Sequence, residues 1–314
     1  AAMTDATGAA PANVAVVTSC HGIGGRAYDK LKKGTRPYLN LLDTVRSGYR
    51  AAKLLGLNHE VPAWIWEQGE AQEDDALATY LAYLLEIQSG MAADIRAIVK
   101  EQAYDPVMFL GQLSSWSNGV NGLVTSDVPL AQLAAMDARP DKIALTGPKY
   151  QFPHSDGLHL TAQGYADYGE LCARALKRFR AGGVTCLRPL AATRSGAVIT
   201  VPFSNPAGGG SLAIDTTLVS DPGTWGVEFK STGGNAPVVT NVAVAGGGAT
   251  LDVTLDVEPT GTAQELWFGL KGFPPAGGGP TVGPRTCIRN SAPEVSTLGT
   301  PLYDWCVHEK VAVS

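Results

Sequence analysis

The sequence predicts an α/β fold over residues 1–183, a parallel sheet between helices, followed over 184–314 by an antiparallel β-sandwich. Three observations carry this. The first half alternates short apolar runs with longer segments of helical period, which is how a βαβ series reads. Beyond Thr185 helical periods vanish, and 19 of the 37 glycines lie in that stretch. Its apolar runs are short, often alternating, and separated by Gly-, Pro- and Asn-containing turns, the grammar of an antiparallel sandwich.

In the first half, the expected strands are residues 14–17, 61–66, 107–113 and 142–146, each short, apolar and bounded by turn residues, as strands buried on both faces should be. Crossover helices are expected over 38–55, where Leu42, Val45 and Tyr49 recur at helical spacing before Gly56, and over 74–101. A last helix, 161–180, begins at Thr161 and ends in Lys177, Arg178 and Arg180, cations that suit the negative end of a helix. In the second half, strands are expected at 197–203, 211–218, 225–230, 238–245, 249–257 and 265–270. The glycine triplets 208–210 and 246–248 read as hairpin turns, since neither opens a helix or carries the Lys-Ser/Thr of a phosphate loop.

Composition removes several function classes. With 24 Lys+Arg against 29 Asp+Glu the net charge is −5, and no basic run exceeds two residues, which argues against nucleic acid or an anionic membrane as partner. Hydrophobic residues make up 45% and charged residues 17%, enough apolar content for a core and too little charge for a disordered polymer. No apolar stretch approaches the roughly 20 residues of a membrane span, and no export signal is legible at the Ala-rich start. The five cysteines form no Cys-x-x-Cys pair, so thiolate metal binding is not expected. Cys287 with Cys306 and Cys172 with Cys186 are conceivable disulfides, and free buried thiols are the equal alternative. His21, His59, His154 and His308 show no metal-ligand spacing.

Three strings can carry chemistry. In Ser155-Asp156-Gly157-Leu158-His159, an Asp three residues before a His can take the imidazole Nδ1 proton and leave Nε2 as a general base. Alone, such a pair is more often a turn Asp and a structural His. Trp66-Glu67-Gln68-Gly69-Glu70 follows a predicted strand, so it emerges at the carboxyl edge of the sheet, where ligands of open α/β sheets bind. There the Gln68 amide can donate to a developing oxyanion and Glu70 can hold it in place; the bland alternative is a polar loop opening a helix. In Ser19-Cys20-His21-Gly22-Ile23-Gly24-Gly25, backbone N–H groups of the glycine turn, Gly25 among them, can serve as oxyanion donors.

Taken in order, these strings resemble the SGNH hydrolase superfamily, in particular its sialate O-acetylesterase-like carbohydrate esterase branch, over about residues 14–180. Gly24-Gly25 resembles the second block of that family, Trp66 to Glu70 the third, and Asp156 with His159 the last. The resemblance implies a flavodoxin-like sheet, serine ester hydrolysis with His159 as base and Asp156 as its orienter, Gly25 and Gln68 around the oxyanion, and no metal or organic cofactor. The substrate it implies is an O-acetylated cell-surface polysaccharide. The first block departs: no Gly-Asp-Ser or Gly-Gln-Ser string exists in the chain. Ser19, which follows a predicted strand, is the candidate nucleophile within the chain, ahead of Ser114, Ser115 and Ser117. The other expectations are a nucleophile block upstream of Ala1, or a catalytically silent relative that recognises glycan. The tail, with Arg289-Asn290-Ser291 and Pro301 to Trp305, resembles β-sandwich endings of phage tail-fibre proteins. That implies an extracellular or virion location, other tail proteins as partners, and a homo-oligomer.

Overall fold

The computed structural model describes residues 15–117 and 122–314. Three of the expected apolar runs form a parallel sheet: β1 (Ala63–Trp66), β2 (Val107–Gln112) and β3 (Ile143–Pro148), in the order β1-β2-β3. Every residue of β2 and β3 is buried, because helices cover both faces. The period of two sends Met108, Leu110, Ile143 and Leu145 to one face and Val107, Phe109 and Ala144 to the other. The first face packs on α1 (Arg36–Leu54), α2 (Leu77–Ile98) and α3 (Val128–Ala138), the second on Ala175, Leu176 and Phe179 of α4 (Ala162–Arg180). In α2 the buried stripe Tyr80, Leu84, Ile87, Met91, Ile95 repeats every three to four residues, so one side of the helix faces the core. Thr161 caps α4, its Oγ1 accepting from the Gly164 N–H at 3.1 Å, and the last turn carries Lys177, Arg178 and Arg180.

Two expectations fail in this half. Residues 15–17 of the run at 14–17 form no strand, and Val16 and Val17 are 52% and 71% exposed; residue 14 lies outside the described residues. An apolar tetrapeptide becomes a strand only where a neighbour supplies a ladder, and it is the chain beyond this run that side chains hold. His21 Nε2 lies 3.1 Å from Thr44 Oγ1 on α1, and Gln72 Oε1 accepts from the Tyr28 N–H at 2.6 Å. The helix α3 was not expected, because it is apolar nearly all round: seven of its first eight residues are buried, and no amphipathic period marks it.

The second half is all β; six of its twelve strands lie at or near the expected positions, and the other six, short pieces within 188–195 and 288–312, fall outside the expected runs. The twelve are β4 (Arg188–Pro189), β5 (Thr193–Ser195), β6 (Val198–Ser204), β7 (Leu212–Ile214), β8 (Val227–Thr232), β9 (Val239–Ala245), β10 (Thr250–Leu255), β11 (Thr262–Phe268), β12 (Ile288–Asn290), β13 (Glu294–Val295), β14 (Pro301–Leu302) and β15 (Glu309–Ala312). One antiparallel sheet runs β4-β6-β10-β9 and another β15-β11-β8. Ile199, Val201, Leu251 and Val253 of the first and Val227, Phe229, Leu266 and Phe268 of the second belong to one buried cluster. The triplet 246–248 turns β9 into β10 as expected. The triplet 208–210 does not make a hairpin: it leads from β6 into β7, which pairs with β12. All five cysteines are free, four of them buried.

The halves interlock. Val307 joins the α/β core and Leu302 the α4 cluster. Gln112 Nε2 donates to the His308 carbonyl at 2.9 Å while its Oε1 accepts from the His308 N–H at 2.8 Å. The buried Asp304 carboxylate takes Arg174 at 2.7 Å, Arg178 at 2.8 Å and the Asn290 amide at 2.7 Å.

Candidate functional site at the carboxyl edge of the sheet

The three parallel strands deliver their following loops to one edge: Glu67 to Glu70 after β1, Ser114 to Ser117 after β2, and Lys149 to His159 after β3. In the last of these, the Asp156 carboxylate closes an Asx turn. Its Oδ1 accepts from the Leu158 N–H at 2.9 Å and the His159 N–H at 2.7 Å, and its Oδ2 lies 2.8 Å from His159 Nδ1. The His159 backbone N–H, the His159 ring and the Leu158 N–H together hold the Asp156 carboxyl well below the usual carboxylate range. A carboxylate acceptor at Nδ1 fixes the proton there and leaves Nε2 as a free lone pair. Both side chains are more than half exposed, 57% and 55%, so that lone pair is open to a substrate.

The other expected site residues are distributed differently. Ser19 is exposed on irregular chain, and among the described residues no hydroxyl lies within hydrogen-bond distance of His159 Nε2. Gly25, at φ 68°, is also exposed, and nothing lies within 4 Å of the place a β-carbon would take. Gln68 is 6% exposed, and both ends of its amide are held by protein: Nε2 donates to the Arg26 carbonyl at 3.3 Å and Gln72 at 3.1 Å, and Oε1 accepts from the Tyr80 hydroxyl at 2.7 Å. Its demonstrable contact is thus with the loop beside Gly25, which it ties to the end of β1.

Glu70 turns back onto Lys149. The turn needs Gly69, whose φ of 146° is rarely open to a residue with a side chain and whose β-carbon would sit 3.2 Å from Val128. Lys149, only 4% exposed, is bridged by Glu67 and Glu70. Burial raises the Glu67 carboxyl, more than Lys149 lowers it, with the charge of Glu70 adding to the rise. Burial acts on Glu70 in the same sense, but the charge and hydrogen bond of Lys149 outweigh it and its carboxyl is lowered. Against the pull of burial, the two carboxylates hold the Lys149 ammonium firmly protonated. Sequence reasoning missed Lys149. The available signal was a lysine directly after a fully buried strand, opposite two acids on the neighbouring loop.

The serines after β2, ranked behind Ser19 as nucleophile candidates, are all buried. Ser114 Oγ lies 2.8 Å from His308 Nε2, and the Ser115 hydroxyl is buried without a hydrogen-bond partner among the described residues. Trp305 is core, and Trp267 is covered by Lys310 and Lys230, 4.4 and 5.3 Å from its ring centre. Hollows of about 300 and 260 Å³ lie in the second half, one beside Asn205 and Ser211, the other beside Phe229 and Lys271. Among the described residues no group of three or more His, Cys, Asp or Glu could hold a metal ion, and no helix is long and apolar enough to cross a membrane.

No protein-family model matches the chain, and no curated protein matches it. Among solved structures it is similar to a carbohydrate acetylesterase from Xanthomonas citri, at 14% identity and a TM-score of 0.47, over 80% of this chain and 50% of that one. It is also similar to the N-terminal part of the bacterial S-layer protein SbsC, at 12% identity and a TM-score of 0.23, over 88% of this chain and 55% of that one. The chain therefore spans about half the length of these structures.

Proposed function

We propose that the chain is an SGNH-type carbohydrate esterase module that hydrolyses O-acetyl esters of cell-surface polysaccharide. The observation that carries this reading is the 2.8 Å pairing of Asp156 Oδ2 with His159 Nδ1 on an exposed loop after a parallel strand. That pairing makes Nε2 a base able to take a proton from a serine or a water at an ester carbonyl. The order of the motif strings along the chain supports it further. The test is acetate release from acetylated xylan: Asp156→Asn removes the carboxylate that orients the ring and lowers release by about a hundredfold or more. Equal release by variant and parent excludes the pairing from catalysis.

A second reading is a glycan-recognising particle protein of the tail-fibre kind, partnered by other tail proteins or by its own copies. It is favoured by the lack of a hydroxyl at His159 Nε2 among the described residues. Binding of acetylated polysaccharide with no acetate released selects it.

A further inference from the structure

The hollow of about 260 Å³ beside Phe229 and Lys271 has no part in the reading above. It lies along β8, the last strand of the sheet β15-β11-β8. The Gly269 N–H donates to the Gly226 carbonyl at 2.7 Å, in register with the pairs Val227–Phe268 and Glu228–Trp267. Bonded residues alternate along an antiparallel pair, so Glu228 and Lys230 turn their backbone groups to β11, and Val227 and Phe229 turn theirs away from it, on the side of the hollow. The Thr224 hydroxyl takes the Val227 carbonyl at 2.7 Å. The N–H and carbonyl of Phe229 are left for a ligand.

Cations without counter-charges border this edge. Arg285 lines the hollow and is only 7% exposed. Its guanidinium donates to the Ser220 carbonyl at 2.7 Å, the Ser220 hydroxyl at 3.0 Å and the Gly283 carbonyl at 2.6 Å, all of them neutral oxygens. The nearby Asp221 carboxylate instead accepts from the Gly223 and Trp225 N–H groups, at 2.9 and 2.8 Å. A buried cation with no anion beside it is costly, and an arginine cannot escape the cost by losing its proton. Lys271 is exposed beside the Phe273 ring, 5.3 Å from its centre, and meets no carboxylate among the described residues. Lys230 pairs with Glu228, an acid on the same wall, at 3.3 Å.

We propose that this hollow is a subsite for a uronate unit of the polysaccharide: Lys271 and the positive field of Arg285 hold the carboxylate, and the Phe229 N–H and carbonyl bond ring hydroxyls. That the ligand is a saccharide rests on the ester-hydrolysis reading; that it is an anion rests on the uncompensated cations alone. A hollow of this size takes a sugar, not an added peptide strand. Lys271 and Gly278 are seven residues apart, hence within about 25 Å of each other, and the Gly278 N–H donates to the Gly157 carbonyl at 2.6 Å, beside Asp156 and His159. One polysaccharide chain can therefore reach both places, with an acidic unit at one and an acetylated unit at the other.

Isothermal titration calorimetry of the full chain with tetragalacturonate and with neutral xylotetraose tests this. The account expects tetragalacturonate to bind about tenfold or more tightly than xylotetraose, Lys271→Met to weaken that binding about tenfold, and Glu228→Gln to strengthen it. Lys177→Met removes an equal charge from an exposed position of α4 and is expected to leave it unchanged. Lys271 is exposed, and an unchanged melting temperature certifies the fold of its variant. Equal affinity for the two tetrasaccharides, no binding of tetragalacturonate, no effect of Lys271→Met, or an equal loss in Lys271→Met and Lys177→Met overturns the proposal. Acetate release from acetylated xylan without tetragalacturonate binding overturns the subsite and leaves the ester-hydrolysis reading standing. Tetragalacturonate binding without acetate release does the reverse.

Discussion

The Ser114 hydroxyl and the His308 Nε2 meet at 2.8 Å across the joint between the two halves, with both side chains shut off from solvent. His308 Nδ1 lies 2.7 Å from the Gly269 carbonyl, and the rings of Trp116 and Tyr150 stand edge-on to the imidazole at 4.9 and 5.4 Å. In distances alone this is a serine, a histidine and an orienting acceptor. Burial decides against catalysis: it pushes the imidazole down to about 3, too weak a base, and leaves no path for a substrate. The contact holds the halves together, whereas the exposed Asp156–His159 pair is where an ester can reach a base.

A pH dependence follows from His308. Its folded value, about 3, lies below the ordinary 6.5, so the unfolded chain binds a proton that the folded chain refuses. The stability from this group is complete above about pH 6.5 and is lost as the pH falls from there towards about 3. Between about pH 6.5 and pH 4 the loss comes to roughly 3 kcal/mol. Urea unfolding across that range measures it. His308→Gln is expected to be less stable at neutral pH, with a shallower fall towards acid; parallel curves for variant and parent contradict the assignment.

The adjacent serines separate a made hydrogen bond from an unmade one. Ser114→Ala strands the buried His308 acceptor and is expected to cost about 1–3 kcal/mol. Ser115→Ala removes a hydroxyl that has no partner among the described residues and is expected to be neutral or slightly stabilising. Calorimetric melting of the two variants gives opposite ranks if the contacts are as described.

Lys149 is the cation between Glu67 and Glu70, and its side chain is 5% exposed against 32% and 22% for the two acids. Lys149→Met leaves two carboxylates facing each other without it. The expected loss is about 2–4 kcal/mol, below the full cost of breaking a buried pair because water reaches the acids. Glu67→Gln should cost less, since burial and Glu70 already resist ionisation there. Chemical denaturation of both variants checks the order.

Much of the fold was legible because it rests on local pattern. Three apolar runs became parallel strands, α1, α2 and α4 lie at or near the expected stretches, and the glycine-rich half became antiparallel sheet. The run at 14–17 misled because an apolar tetrapeptide says nothing of whether a neighbouring strand is there to pair with it. The helix α3 escaped because a helix buried all round loses the period that marks it. At the site, Asp156 and His159 are three residues apart, so one turn sets their geometry and the string alone conveyed it. Lys149 lies 79 residues from Glu70, and Ser114 lies 194 from His308. Such pairs are made by tertiary packing, which no local spacing records.

The most direct test of the central claim is the hydrolysis of p-nitrophenyl acetate by the chain and by its His159→Ala variant, with matched circular dichroism to certify the fold. The account predicts turnover by the chain and a fall in kcat/KM of about a thousandfold or more in the variant. Equal turnover by the two, or none by the chain itself, contradicts it.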